Sequence, residues 1–422
     1  MSFSRSATLV GFACFAGIVA TQEARAQAPT EGPLTREDAL VRALGDDPRL
    51  LAAGASERAA EAGVAQAGRR PNPTVEVLSE NVSGSGPYSS LDRAETTVSF
   101  SQPLELGGDR HARRTLAERD LATARLSSVI RRLDLFEEVE VAFVEAQAAQ
   151  ARCVVAEERL GVARGLAEAV ARRVGAARDP LMAGARAQTR LAEAEIEAEA
   201  ARRGAEAAMA RLASYWGSGA ERIDLASFER MADRPLSSGA DAPDLALATA
   251  EEERAKARIE IERARGVPDP NLQAGWRRFS DTDDTALTFG VSIPLQLWDR
   301  NSGGVSRARA ERDRAGFETR ARAQALARQQ ATLATQRAGA RHEVEALDAR
   351  VIPNAEEALR LAHQGYSRGA FSYLDVLEAQ RSVSDARLRR IAALRTYHLA
   401  EAALARLTGA HADVAPVQEQ PR

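Results

Sequence analysis

Apolar and polar residues alternate without a fault over residues 286–297, as they do in a half-exposed β-strand. The apolar positions are Leu287, Phe289, Val291, Ile293, Leu295 and Leu297. A run of this length is close to what a tilted strand needs to cross a bilayer. We therefore expect the side chains from Leu287 to Leu295 to contact lipid. A strand of a water-soluble sandwich is the alternative interpretation of the same pattern.

A similar strand is predicted over residues 95–106, where Val98, Phe100, Leu104 and Leu106 share one face and Gln102 interrupts it. Shorter strands are predicted before each of these two, over 74–82 and 271–279. Four strands cannot close a barrel, and an open edge in lipid leaves backbone groups unpaired. Spanning strands would therefore require oligomerisation. Room for a channel weakly favours a trimer over a dimer.

Long helices are predicted between the strand pairs, because apolar residues recur there at spacings of three and four. Residues 109–175 contain no proline, and as one helix they would be about 100 Å long. A second helix is expected to return and end near residue 215. The later part of the chain repeats this arrangement over 301–408, where Pro353 predicts a kink. Helices of this length favour antiparallel helical hairpins.

The chain divides into two similar halves. Residues 71–73 (PNP) match 268–270 (PDP), and residues 100–106 match 291–297, in the same order and with nearly constant offset. We predict a signal peptide over 1–26, a first repeat over 27–216, a linker over 217–242, a second repeat over 243–409 and a tail over 410–422. The helical hairpins of the two repeats are predicted over 109–215 and 301–408.

The N-terminus has the features of a secretory signal. Arg5 precedes an apolar segment, residues 7–20, and Ala24-Arg25-Ala26 forms a small-residue cleavage site. We expect cleavage after Ala26. The residues before Cys14 fit a lipidation box poorly, so we do not expect acylation.

The composition argues against several classes of function. The chain has 57 basic and 60 acidic residues, a balance that is unusual for a nucleic-acid-binding protein. Its five histidines are scattered, with none paired at the spacing of metal ligands. We expect no metal site, no cofactor and no catalytic residues.

Several motifs resemble the TolC family of outer-membrane efflux ducts. PLELGGDR (103–110) and IPLQLWDRNSGG (293–304) are similar to the heavy-metal, CzcC-like branch, and residues 351–359, 366–369 and 375–379 also fit the family pattern. The resemblance implies a mainly α fold with a small β part. Three protomers would form a 12-stranded barrel in outer-membrane lipid, continued by a periplasmic α-helical coiled-coil barrel. The implied partners are a periplasmic adaptor and an inner-membrane RND pump.

The resemblance also assigns residues to the periplasmic end of such a duct. Asp375 and Glu378 match acidic residues that line a constriction, where repeated carboxylates would attract cations. A solvated helix face is the alternative. Tyr366 matches a gate tyrosine that binds an acid on the other hairpin in some members. The position matching that acid is Ala183, and Phe371 replaces an arginine of a second tie, so the sequence supports neither tie.

The tips of the two hairpins are expected to bind the adaptor. These positions are Gly175, Ala177, Arg178, Arg368, Gly369 and Ala370. The sequence therefore predicts a passive export duct for heavy-metal cations. Two alternatives remain open at this point: a duct of the same fold for organic compounds or type I secretion, and a periplasmic coiled-coil scaffold or adaptor.

Overall fold

The computed structural model of the protein describes residues 32–45, 47–217, 222–232 and 242–410. The expected signal peptide, the cleavage after Ala26 and nearly all of the predicted tail lie outside these residues. The first half contains α1 (Arg36–Leu44), α2 (Pro48–Ala67), β1 (Thr74–Glu80), β2 (Glu95–Pro103), α3 (Asp109–Gly175) and α4 (Leu181–Ala213). The second half contains α5 (Pro243–Ala264), β3 (Asn271–Phe279), β4 (Thr285–Ser292), α6 (Ser302–Ala346), α7 (Ile352–Ser367) and α8 (Tyr373–Thr408).

The order of elements is the same in both halves: a helix, two strands, a long helix, and a helix that packs back against it. The helix α3 covers the proline-free run of the sequence and packs along α4. A five-residue π-helical segment, Leu347–Val351, interrupts the second long helix just before Pro353. Because proline lacks an N–H, the helical hydrogen-bond pattern must change there. None of the described helices combines the length and the apolar character needed to cross a membrane.

Buried apolar side chains hold the helices together in several separate clusters along the bundle. One cluster packs α1 against α3 around Phe136 and Phe143, and another joins α3, α6 and α8 around Val344 and Leu394. In addition, the buried carboxylate of Asp244 on α5 is bound by Arg406 of α8 and Arg322 of α6. A buried carboxylate with two arginine partners fixes the relative position of three helices.

The four strands form one antiparallel sheet in the order β1-β2-β3-β4. The register places apolar side chains directly opposite one another across the sheet. Phe100 of β2 lies between Val75 and Ala274, and Phe289 follows on β4. The opposite face carries Thr, Ser, Gln and Glu side chains at the corresponding positions. The sheet therefore has one apolar and one polar face.

The polar face is covered on β2, whereas the apolar face is open. Thr97, Ser99 and Ser101 of β2 are only 4–8% exposed. This burial comes mainly from within the sheet, because the strands contact mostly one another. Neighbouring side chains cover these residues: Gln273 donates a hydrogen bond to Ser99 and Arg277 donates one to Thr97. On the apolar face, Phe289 is 81% exposed.

Three predicted strands are shorter in the structure. The strand predicted over 286–297 ends at Ser292, that over 95–106 ends at Pro103, and that over 74–82 ends at Glu80. β2 and β4 stop there because their partner β3 begins only at Asn271, which pairs with both Pro103 and Ser292. Ile293 and Leu295 are therefore exposed but lie beyond the strand, contrary to the prediction. At the other end of the sheet, β1 stops at Glu80, opposite the first residue of β2.

Candidate functional site at the hairpin tips

The two long hairpins turn at residues 176–180, between α3 and α4, and at 368–372, between α7 and α8. Ala177 and Gly369 have positive φ angles, of 55° and 76°. A left-handed residue commonly ends a helix in this way, and only glycine adopts it without steric cost. All six residues predicted to bind an adaptor are exposed in or beside these turns.

A hydrogen bond joins the two hairpins directly. The hydroxyl of Tyr366, on α7, donates to Oδ2 of Asp179 in the first turn at 3.0 Å. The ring of Tyr366 is buried in an apolar cluster with Val170 of α3, and the neighbouring ring of Tyr373 lies 6.4 Å away between centroids. Tyr366 therefore ties the tips together from inside the bundle.

Arg173 completes this contact. Its guanidinium binds Asp179 through two hydrogen bonds, of 2.9 and 3.1 Å, and lies 4.8 Å from the centroid of the Tyr366 ring. The Arg173 guanidinium lowers the pKa of Asp179. Burial, and then the hydrogen bond to Asp179, raise the pKa of Tyr366 to about 12. At neutral pH the hydroxyl is therefore a stable donor and the carboxylate a stable acceptor.

The expectation that Tyr366 lacks an acidic partner is wrong. Ala183 packs at the edge of the apolar cluster, and the acid comes four positions earlier, from the turn at Asp179. A turn residue can reach a side chain that a residue on the following helix cannot. Sequence reasoning also missed Arg173. The signal that was available is the acid-proline pair, Asp179-Pro180, which follows an arginine-rich helix end.

Phe371 has a different role from the arginine that its position matches in the family pattern. Its ring packs on Gly365, where an added Cβ would lie 2.1 Å from the ring. The backbone N–H groups of Ala370 and Phe371 both donate to the Gly365 carbonyl, at 2.8 and 3.3 Å. The second tip is therefore closed by close packing on a glycine.

Asp375 and Glu378 lie one turn apart at the start of α8, and both are exposed. Asp375 forms a capping box with Ser372, whose N–H and hydroxyl each donate to its carboxylate at 2.7 Å. The hydroxyl and the backbone N–H of Ser372 lower the pKa of Asp375. Within one protomer Asp375 is thus a fixed anion. Glu378 borders a shallow cavity of about 380 Å³ that Arg159, Arg190 and Arg381 also line.

No group of three or more His, Cys, Asp or Glu side chains in the described residues could hold a metal ion. The arrangement at the tips contains charged groups on a helix start and a tie between hairpins. The tie restrains the two turns relative to each other, and the exposed carboxylates can attract cations.

Comparison with known proteins identifies the family. The family model described as outer membrane efflux protein matches residues 39–218 and 237–410. The chain belongs to this family of outer-membrane transport channels. The two matched segments each contain one pair of strands and one helical hairpin.

Relatives and a solved structure agree with this assignment. The chain is 32% identical over 90% of both lengths to the cobalt-zinc-cadmium resistance protein CzcC of Cupriavidus metallidurans. It is 29% identical to the nickel-cobalt-cadmium resistance protein NccC of Alcaligenes xylosoxydans xylosoxydans, over 72% of this chain and 69% of that one. The crystal structure of the outer membrane protein VceC from Vibrio cholerae superposes with a TM-score of 0.75 at 22% identity. That match covers 89% of this chain and 96% of VceC.

These comparisons confirm the predicted family and fold class. The efflux protein is mainly α-helical, with a small antiparallel sheet at one end of long helical hairpins. A scaffold or adaptor without a channel is therefore the wrong interpretation of its helices.

Proposed function

We propose that this efflux protein is the outer-membrane duct of a tripartite RND-type system and exports heavy-metal cations. The observation that carries the proposal is the 32% identity to CzcC over nearly the whole of both chains. CzcC is named for resistance to cobalt, zinc and cadmium, and NccC for resistance to nickel, cobalt and cadmium.

Three protomers would place their sheets side by side in the outer membrane. The strands β1 and β4 are the free edges of the sheet, and each has unpaired backbone groups on one side. Pairing β1 of one protomer with β4 of the next removes every edge and gives a closed barrel of 12 strands. The polar face would then line the channel, and the apolar face from Leu287 to Val291 would contact lipid.

Asp375 and Glu378 would act at the opposite end of the duct. Three copies bring six carboxylates near the axis, and such rings favour cations over anions. Arg173, Asp179 and Tyr366 would hold the tips in the closed arrangement. The exposed residues of the two turns, from Gly175 to Arg178 and from Arg368 to Ala370, would bind a periplasmic adaptor. An inner-membrane RND pump would supply the energy.

Growth of a deletion strain tests this function. The strain is grown on graded zinc, cobalt, cadmium, nickel and copper, and in parallel on dyes, bile salts and antibiotics. We expect hypersensitivity to divalent metals that the wild-type gene reverses. Sensitivity confined to the organic compounds would contradict the metal cargo while leaving the channel fold in place.

A further inference from the structure

On β2, the row of apolar side chains on the exposed face is interrupted by Gln102. This side chain continues the row of Val98 and Phe100 on β2, but its amide donates hydrogen bonds to the carbonyls of Pro71 and Pro103, at 3.1 and 3.0 Å. Gln102 is thus a polar residue at the helical end of an apolar surface. A cavity of about 640 Å³ opens beside it, between the end of α2, the segment after β2 and the start of α3.

Basic side chains dominate this cavity. Arg70, Arg110, Arg114 and His111 line it, and all four are exposed. Arg70 and Arg110 form no ion pair with any residue that the structure describes, and Arg114 has only an exposed pair with Glu118. Glu105 is the acidic residue of the lining.

The charge of Glu105 is already neutralised, because Arg113 binds its carboxylate. The cavity therefore keeps a net positive charge. Guanidinium groups with free N–H donors bind phosphate oxygens through paired, charge-assisted hydrogen bonds. This chemistry differs from that of the tips and of the polar sheet face.

In the second repeat, an exposed aromatic residue follows the segment that corresponds to residues 100–106. Trp298 is 93% exposed, just beyond the exposed side chains of Leu295 and Leu297, and Arg300 follows it. Tryptophan is enriched where a membrane-spanning surface meets the headgroups. The other end of the sheet is acidic instead, since its β3–β4 turn contains Asp281, Asp283 and Asp284.

We infer that the cavity between Arg70 and Arg110 binds the phosphate of an anionic phospholipid whose acyl chains lie on the adjacent apolar face. A phospholipid fits both the basic cavity and the apolar face beside it. Its headgroup would contact guanidinium groups, and its acyl chains would contact Phe100 and Leu104. The inference rests on the proposed membrane orientation, in which the helices point into the periplasm. The lipid would fix the depth of the sheet in the inner leaflet.

Native mass spectrometry of the purified mature protein in detergent tests this site. Phosphatidylglycerol and phosphatidylcholine with the same acyl chains are added at equal concentration, and the retained lipid is counted. We expect preferential retention of phosphatidylglycerol. In the double variant Arg70→Gln/Arg110→Gln, retention should fall on the order of tenfold. Arg110→Lys, which keeps the charge, should lose less.

Arg164→Gln/Arg186→Gln is the matched control, because both arginines are exposed on the hairpin and Arg164 lies about 80 Å along α3 from Arg110. This control should retain lipid like the wild type. Equal retention by the Arg70/Arg110 variant, at unchanged oligomeric state and melting temperature, would overturn the inference. Displacement of the lipid by inorganic phosphate at the same concentration would also overturn it, by assigning the site to free phosphate. Lipid retention is read independently of metal resistance, so a failed growth test leaves this result interpretable.

Discussion

Tyr366 and Asp179 are 187 residues apart in sequence, yet the Tyr366 hydroxyl donates a hydrogen bond to the Asp179 carboxylate at 3.0 Å. The carboxylate is held in place by Arg173, which also covers the face of the Tyr366 ring. The helical hairpin of the first repeat is thereby connected at its tip to the helical hairpin of the second repeat. We expect opening of the tips to break this contact, so its loss should change how often they open.

Removal of the Tyr366 hydroxyl should loosen the tips. Tyr366→Phe keeps the ring in the apolar cluster but removes the hydrogen bond to a charged acceptor, which contributes about 1.5–3 kcal/mol. We expect a roughly tenfold or larger rise in the open fraction of single channels in planar bilayers. Tyr373→Phe is the control, because the Tyr373 ring belongs to the same cluster and its hydroxyl forms no hydrogen bond with any residue that the structure describes. Equal open fractions for the two variants would show that the tie does not hold the tips closed.

The sequence predicts the architecture better than it predicts this tie. The proline-free run from 109 to 175 coincides with α3, and the Thr-x-x-Asp sequence from Thr35 begins α1 with a capping box. Both features depend on local chemistry. The partner of Tyr366 depends on how a five-residue turn orients Asp179, which no local pattern encodes.

The ends of the strands likewise could not be predicted from the sequence of a single segment. The alternation from Leu287 to Leu297 is a property of one segment, whereas β4 ends at Ser292 because its partner β3 supplies no further residues. Pairing between distant segments therefore decides the length of the sheet. The cavity beside Gln102 was likewise invisible in the sequence, since its arginines come from both sides of the strand pair.

The exposed carboxylates at the start of α8 should determine cation selectivity. We expect Asp375→Asn combined with Glu378→Gln to lower the cation-over-anion permeability ratio roughly twofold or more, because three copies lose six charges near the axis. The measurement is the reversal potential under a salt gradient. Asp385→Asn changes another exposed acid on the same helix and should have no effect. An unchanged ratio in the double variant would assign both residues to a solvated helix face.

A charge on the apolar face of the sheet should block membrane assembly. Phe289→Arg places a cation on that face near the middle of β4, at a cost of about 2–4 kcal/mol if it lies at the bilayer midplane. Thr288→Arg adds the same side chain to the polar face and should be tolerated better. The readout is heat-resistant oligomer in the outer-membrane fraction. Normal assembly of the Phe289 variant would contradict the lipid-facing assignment.

His398 should make stability depend on pH. Its Nε2 lies 2.8 Å from the Phe228 carbonyl, its ring stacks on Phe228, and Glu401, Arg36 and Glu229 are the charged groups around it. Burial lowers the pKa of His398 below its usual 6.5. The unfolded chain then binds more protons than the folded one, so stability is full above pH 6.5 and is lost as pH falls towards the folded pKa.

Thermal unfolding between pH 8 and pH 5 measures this effect. For one histidine the free energy of unfolding should fall by at most about 1.4 kcal/mol per pH unit. His398→Gln keeps an amide donor for the Phe228 carbonyl but does not titrate, and it should flatten this part of the profile. A wild-type slope that persists in His398→Gln would assign the dependence to other groups.

Cell-associated metal content is the direct measurement of whether the protein exports metal cations. A deletion strain is exposed to zinc, cobalt or cadmium and complemented with the wild-type gene, with Phe289→Arg or with an empty vector, and its metal is measured by mass spectrometry. We expect a high metal content in the empty-vector and Phe289→Arg strains and a low metal content with the wild-type gene. Equal metal content in all strains, while an organic dye accumulates only without the wild-type protein, would contradict metal export.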